Sequence, residues 1–91
     1  MRFEWDEKKR LIHIRRHGID FVDAESIFDS ETYTVVDERF DYGEVRWLTL
    51  GIVKGRILAV IHLEDDDLIR IISVRKAERH EQETYFKNIR D

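Results

Sequence analysis

Lys54-Gly55 separates two runs of strand-forming residues, 45–53 and 56–63. Two such runs joined by only two residues read as a β-hairpin, with glycine where the turn tolerates a positive φ. If Val53 pairs with Arg56 across the turn, the period of two fixes the faces of both strands. Leu48, Leu50, Ile52, Ile57, Ala59 and Ile61 then share one face, read as the core. Trp47, Thr49, Gly51, Arg56, Leu58, Val60 and His62 share the other, whose mixed composition is compatible with an open face.

The remaining elements follow from changes of period. Asp6 caps a helix over 7–17 that turns Leu11 and Ile14 inward, and Gly18 supplies the left-handed residue that ends it. Asp20 caps a second helix over 21–29, with Phe21, Ala24, Ile27 and Phe28 as its apolar stripe. Thr32 to Val36 is β-branched and aromatic and makes a first strand ahead of the hairpin. The acidic turn Glu64-Asp65-Asp66-Asp67 leads to a fourth strand over 68–74, and residues 77–90 return to helical spacing. The order is ααββββα, an α+β domain in which helices cover a four-stranded antiparallel meander. Turns of three and four residues at Glu64–Asp67 put Arg70 on opposite faces.

The chain is 91 residues long, without proline or repeat, and reads as one domain over 1–91. Cysteine is absent, which removes disulfides and thiolate chemistry and fits a reducing cytoplasm. No apolar run approaches the ~18 residues of a membrane span, and the start Met1-Arg2-Phe3-Glu4-Trp5-Asp6 has no apolar signal segment. Membrane and secretory readings are therefore set aside. The net charge of −4 argues against a surface that grips nucleic acid all over. Charge is segregated, however: residues 21–45 and 64–69 are acidic, while 46–63 and 70–79 are basic, so a local anion-binding face is compatible with the total.

Few residues suggest chemistry. His13 and His17 stand at helical i,i+4 spacing but without the glutamate of a metalloprotease pattern, and His17 reads as a helix C-terminal residue. The acidic turn lacks the ligand spacing of a calcium loop, and no phosphate-binding glycine loop is present. Neither metal nor cofactor is expected. The dense feature is Arg70-Ile71-Ile72-Ser73-Val74-Arg75-Lys76-Ala77, which sets arginines into an apolar strand. Either Arg70 locks the sheet by pairing with a carboxylate such as Glu44 or Asp37, or the arginines grip phosphates and stabilise a phosphorane-like transition state. Arg46 and His62 are candidates to join Arg70 and Arg75, with His62 as the proton-transfer group.

These blocks resemble a known family, the BrnT-type toxins of bacterial type II toxin–antitoxin pairs. Trp5-Asp6 with Lys9 is similar to its N-terminal signature, and Arg16-His17-Gly18-Ile19-Asp20-Phe21 with Asp23-Ala24 to its second block. Arg46 with Gly51 resembles its R-x-x-x-x-G strand, and Arg70 to Ala77 its R-I-I-S-A-R-x-A block. The chain departs at Leu63-Glu64-Asp65, where many members have threonine before an acid-arginine step; the acids here repel RNA locally. The resemblance implies a RelE-like ribonuclease fold and a toxin that cleaves RNA to inhibit translation. It also implies a cognate antitoxin, usually carrying a ribbon-helix-helix module through which alone the complex meets DNA. Arg46, Arg70 and Arg75 are then the anion-gripping candidates. A non-catalytic interaction module, or a degenerate toxin that binds an antitoxin segment, is the alternative.

Overall fold

The computed structural model describes residues 1–39, 41 and 43–89. Eight elements follow in order: β1 (Arg2–Glu4), α1 (Glu7–His17), α2 (Phe21–Ile27), β2 (Tyr33–Val36), β3 (Trp47–Val53), β4 (Arg56–Asp65), β5 (Leu68–Lys76) and α3 (Arg79–Ile89). The class is α+β as expected, but the sheet has five strands in the order β1-β5-β4-β3-β2. The additional strand β1 runs parallel to β5, pairing Phe3 with Ile69 and Glu4 with Arg70, so the sheet is mixed rather than a pure meander. Position 90, the expected last residue of the C-terminal helix, lies outside the described residues.

The caps and the turn form as local chemistry dictates. Asp6 accepts from Lys9 N at 3.2 Å and Asp20 from Val22 N at 3.0 Å, each satisfying a helix N–H that has no intrahelical partner. Gly18 ends α1 at φ 68°, its N–H donating to Ile14 O. Lys54 and Gly55 sit at φ 53° and 77°, the two positive values of a type I′ turn, and Val53 pairs with Arg56.

The face assignment needs one correction. Leu48, Leu50, Ile57, Ala59 and Ile61 are buried beneath α3, although Ile52 on the same face is exposed. The other face is not open: Thr49, Leu58, Val60 and His62 are almost fully buried under α2, with Phe21, Ala24 and Ile27 packed on the sheet. Gly51 makes that approach possible, since a Cβ there would lie 2.5 Å from Ile27 Cγ2. Buried Thr49 and His62 hydrogen-bond each other at 2.7 Å through His62 Nε2, which offsets part of the cost of a polar pair in a core, while His62 Nδ1 is buried without a hydrogen bond among the described residues.

Helix α1 also departs from expectation. It fully buries none of its residues, and Leu11 faces solvent. It is tied to the body through polar contacts: Arg10 grips Asp20 at 2.7 and 3.1 Å, and His13 Nε2 donates to the Val74 carbonyl.

Candidate active site

Arg70 and Arg75 are five residues apart, and in a regular strand an odd separation places side chains on opposite faces. A β-bulge changes this. Ile61 pairs with Ser73 but His62 pairs with Ile71, so β5 accommodates one extra residue, Ile72, against β4. The slip restores the two arginines to one face. Arg75 stands opposite Ala59 and Arg70 opposite Leu63, both on the α3 side of the sheet. The turn that feeds β5 is a two-residue Asp66-Asp67 connection, with Asp66 at φ 51°, and this pairing of Asp65 with Leu68 settles the face of Arg70.

Arg46 belongs to the same face. Trp47 pairs with His62, so extending the register by one residue sets Arg46 opposite Leu63, in the row that continues to Arg70 and Glu4. Neighbouring strands are ~4.8 Å apart, so two strand spacings put the Arg46 and Arg70 backbones roughly 10 Å from each other. Arg75 lies two rows along, with the Ser73 row between. Extended guanidinium side chains from these positions can meet successive phosphates of one strand.

Each arginine is held by a carboxylate. Arg46, as shielded as Arg75, meets the exposed Glu44 at 3.3 Å, and Arg70 meets Glu4 at 3.1 Å in a pair open to solvent on both sides. Arg75 is held more tightly: its two terminal nitrogens donate to Glu81 at 2.7 and 3.0 Å, and its side chain is only 26% exposed. The Glu81 hydrogen bonds raise the Arg75 pKa further against the opposing effect of burial. Burial pushes Glu81 up, but hydrogen bonds from Arg75 and the Glu78 N–H outweigh it and leave its pKa lowered. An end-on carboxylate uses one N–H of each terminal nitrogen, so the Nε edge of the Arg75 guanidinium keeps donors for a second anion.

His62 is separated from this cluster. It lies on the opposite face with no exposed surface, its Nε2 on Thr49 Oγ1 and its ring edge-on to Phe28. Burial pushes its pKa down to about 4. The expectation that it joins the arginines as a proton-transfer group fails on geometry, because the sheet stands between them. His13 and His17 rings lie 4.5 Å apart, and the His13 bond to Val74 O engages one of its ring nitrogens. Among the described residues no group of three or more His, Cys, Asp or Glu is placed to hold a metal ion. No helix among them is long and apolar enough to cross a membrane.

A profile of the ribonuclease toxin BrnT of type II toxin–antitoxin systems matches residues 5–81. The chain belongs to the BrnT family. Its fold matches the crystal structure of the Brucella abortus ribonuclease toxin BrnT with a TM-score of 0.63 and 32% sequence identity, covering 87% of this chain and 99% of that one. No match was found among curated protein sequences.

In this BrnT-family toxin, sequence reasoning overlooked two features of the arginine face. Ser73 projects between the Arg70 and Arg75 rows, and its place follows only from the bulge. Glu81 is the partner of Arg75, and a signal for it was available: Glu78-x-x-Glu81 has the spacing of a capping residue and an acid three positions later, at the start of a helix.

Proposed function

We propose that this BrnT-family chain, as one RelE-like domain over residues 1–91, cleaves RNA in the cytoplasm on the arginine-bearing face of its sheet. The observation that carries the assignment is the bulge opposite Ile61 and His62, which turns Arg75 to the side of Arg70. A one-residue slip in an otherwise regular ladder reorients every side chain beyond it. Here its result is two strand-borne guanidiniums on one surface.

The reaction is transphosphorylation. The ribose 2′-OH attacks the adjacent phosphorus, the P–O5′ bond breaks, and a 2′,3′-cyclic phosphate and a 5′-OH end remain. The proton lost from the 2′-OH is balanced by the one gained at the 5′ oxygen. Charge accumulates on the non-bridging oxygens in the transition state, and donors fixed on a rigid sheet stabilise it without reorganising. Arg75, braced by Glu81, supplies that stabilisation; Arg70 and Arg46 hold flanking phosphates. The positive charge comes from guanidiniums, so the step is proposed as metal-independent. His62 takes no part in it. A cognate antitoxin, with a ribbon-helix-helix module as the DNA-contacting part of the pair, neutralises the toxin.

The test is cleavage of total bacterial RNA by the purified chain and by Arg70→Ala/Arg75→Ala, with folding of both checked by circular dichroism. Growth is followed in parallel on induced expression. Cleavage and arrest by the wild type, with neither in a folded double variant, supports the reading. Undiminished cleavage by the double variant would remove the arginine face from the chemistry. A folded wild type that binds antitoxin but cuts no RNA would leave a non-catalytic interaction module.

A further inference from the structure

We propose that the outer edge of β2, together with the groove beside it, is where an extended segment of the antitoxin docks as an additional strand. The proposal rests on the toxin reading for the identity of the partner. The surface itself is defined by the backbone and by what lines the groove.

β2 is the last strand of the sheet, and among the described residues no strand lies outside it. Its pairing with β3 determines which backbone groups face outward. Asp37 N donates to Arg46 O at 2.7 Å, and residues of an antiparallel ladder alternate between bonding inward and outward. Tyr33 and Val35 therefore bond to β3, while Thr34 and Val36 direct their N–H and C=O groups away from the sheet. Exposed edges are usually blunted by lysine, proline or inward-pointing charge. This edge is Tyr33-Thr34-Val35-Val36, with Val35 38% and Val36 41% exposed. The opposite edge, β1, has only three residues, two of them charged.

The groove runs between β2 and the N-terminal half of α3 and has a volume of about 450 Å³. Tyr33, Leu48 and Leu50 contribute apolar floor; of the carboxylates, Asp37 is paired with Arg39 and Glu81 with Arg75, and Glu38 tips the balance to negative. That balance disfavours a polyanion, which selects a protein segment over RNA. It fits a strand whose alternate apolar side chains enter the groove and which carries a lysine or arginine toward Glu38. Strand addition takes affinity from main-chain hydrogen bonds and specificity from such side-chain pockets. Glu81 lines the groove and also holds Arg75, so an occupant would lie against the proposed active face and keep RNA from it.

The experiment uses the full chain and its cognate antitoxin, purified by co-expression and separated. Backbone amide exchange is measured for the free chain and for the complex, and affinity is measured by calorimetry for wild type, Val36→Pro and Val35→Asp. Proline at position 36 removes an outward donor without touching the bonds to β3, and edge strands tolerate it. The expected result is strong slowing of exchange at Thr34 and Val36 in the complex, and at least a tenfold loss of affinity in each variant with RNA cleavage by the toxin alone unchanged. Unprotected Thr34 and Val36 amides in the complex, or protection confined to α1, would overturn the proposal even if a variant failed to fold. Absence of RNA cleavage by the wild type counts against the ribonuclease reading alone, since neither binding measurement uses substrate.

Discussion

Arg75 and Glu81 join the last strand to the last helix by two hydrogen bonds, at 2.7 and 3.0 Å, while the same carboxylate accepts from the Glu78 N–H at 2.8 Å. One side chain thus caps α3 and orients the guanidinium proposed to stabilise the transition state. Glu81→Ala should remove the cap and leave a half-buried cation unanswered. We expect a loss of about 2 kcal/mol in denaturant-derived stability. Glu81→Gln, which still accepts one bond, should lose less. If both variants matched wild type, the contact would have no structural role.

Glu4 faces Arg70 at 3.1 Å in a solvent-exposed pair, so it restrains the arginine without contributing much to stability. Glu4→Gln should leave the unfolding midpoint within experimental error and tighten RNA binding. Three phosphate contacts on single-stranded RNA predict a slope of about −2 for log affinity against log salt concentration, and each Arg→Ala variant at positions 46, 70 and 75 should flatten it by about 0.7. Binding isotherms at four salt concentrations decide this. A slope near zero would place RNA elsewhere.

His62 is neutral and enclosed, with a pKa lowered from 6.5 to about 4. The unfolded chain binds a proton there between those values and the folded chain does not. Stability is therefore full above pH 6.5 and declines as pH falls toward 4, by on the order of 3 kcal/mol from this residue. His13, whose pKa burial also lowers, adds to the loss with the same sign. Urea unfolding between pH 7.5 and 4 should show the decline, and His62→Gln should make it shallower. An equally steep decline in that variant would assign the effect to other groups.

The close approach of Gly51 to Ile27 can be measured as a coupling. Gly51→Ala should cost about 1–3 kcal/mol by overpacking the interface of β3 and α2. Combined with Ile27→Ala, which vacates the space, the double variant should be more stable than the two single losses added together predict. Additive losses would mean that the strand and helix shift apart freely.

The hairpin's turn and register were legible in the sequence because their information is local: a two-residue turn at Lys54-Gly55 and an alternation that admits one register, although the strands run over Trp47–Val53 and Arg56–Asp65 rather than 45–53 and 56–63. The caps at Asp6 and Asp20 were legible for the same reason. β1 was not, since Arg2–Glu4 is too short to display a period and its partner lies at the far end of the chain. The covered second face was misread because Thr49 and His62 look like surface residues until they are seen bonding each other. At the candidate site, Arg70 and Arg75 stand out by residue type within the apolar β5, and Arg46 just ahead of β3. Their common face does not, because it depends on one unpaired residue at Ile72 that alternation alone does not reveal.

The link between Glu4 and Arg70 spans 66 residues of chain. Hairpin pairing among β3, β4 and β5 closes short loops and forms early, whereas docking of β1 must wait for a much larger loop to close. During synthesis the N-terminal strand is made first but finds its place only after β5 has emerged. Glu81, which braces Arg75, emerges later still. A nascent chain therefore lacks the contacts that hold Arg70 and Arg75, and the α3 wall of the groove beside β2, until almost its whole length has left the ribosome.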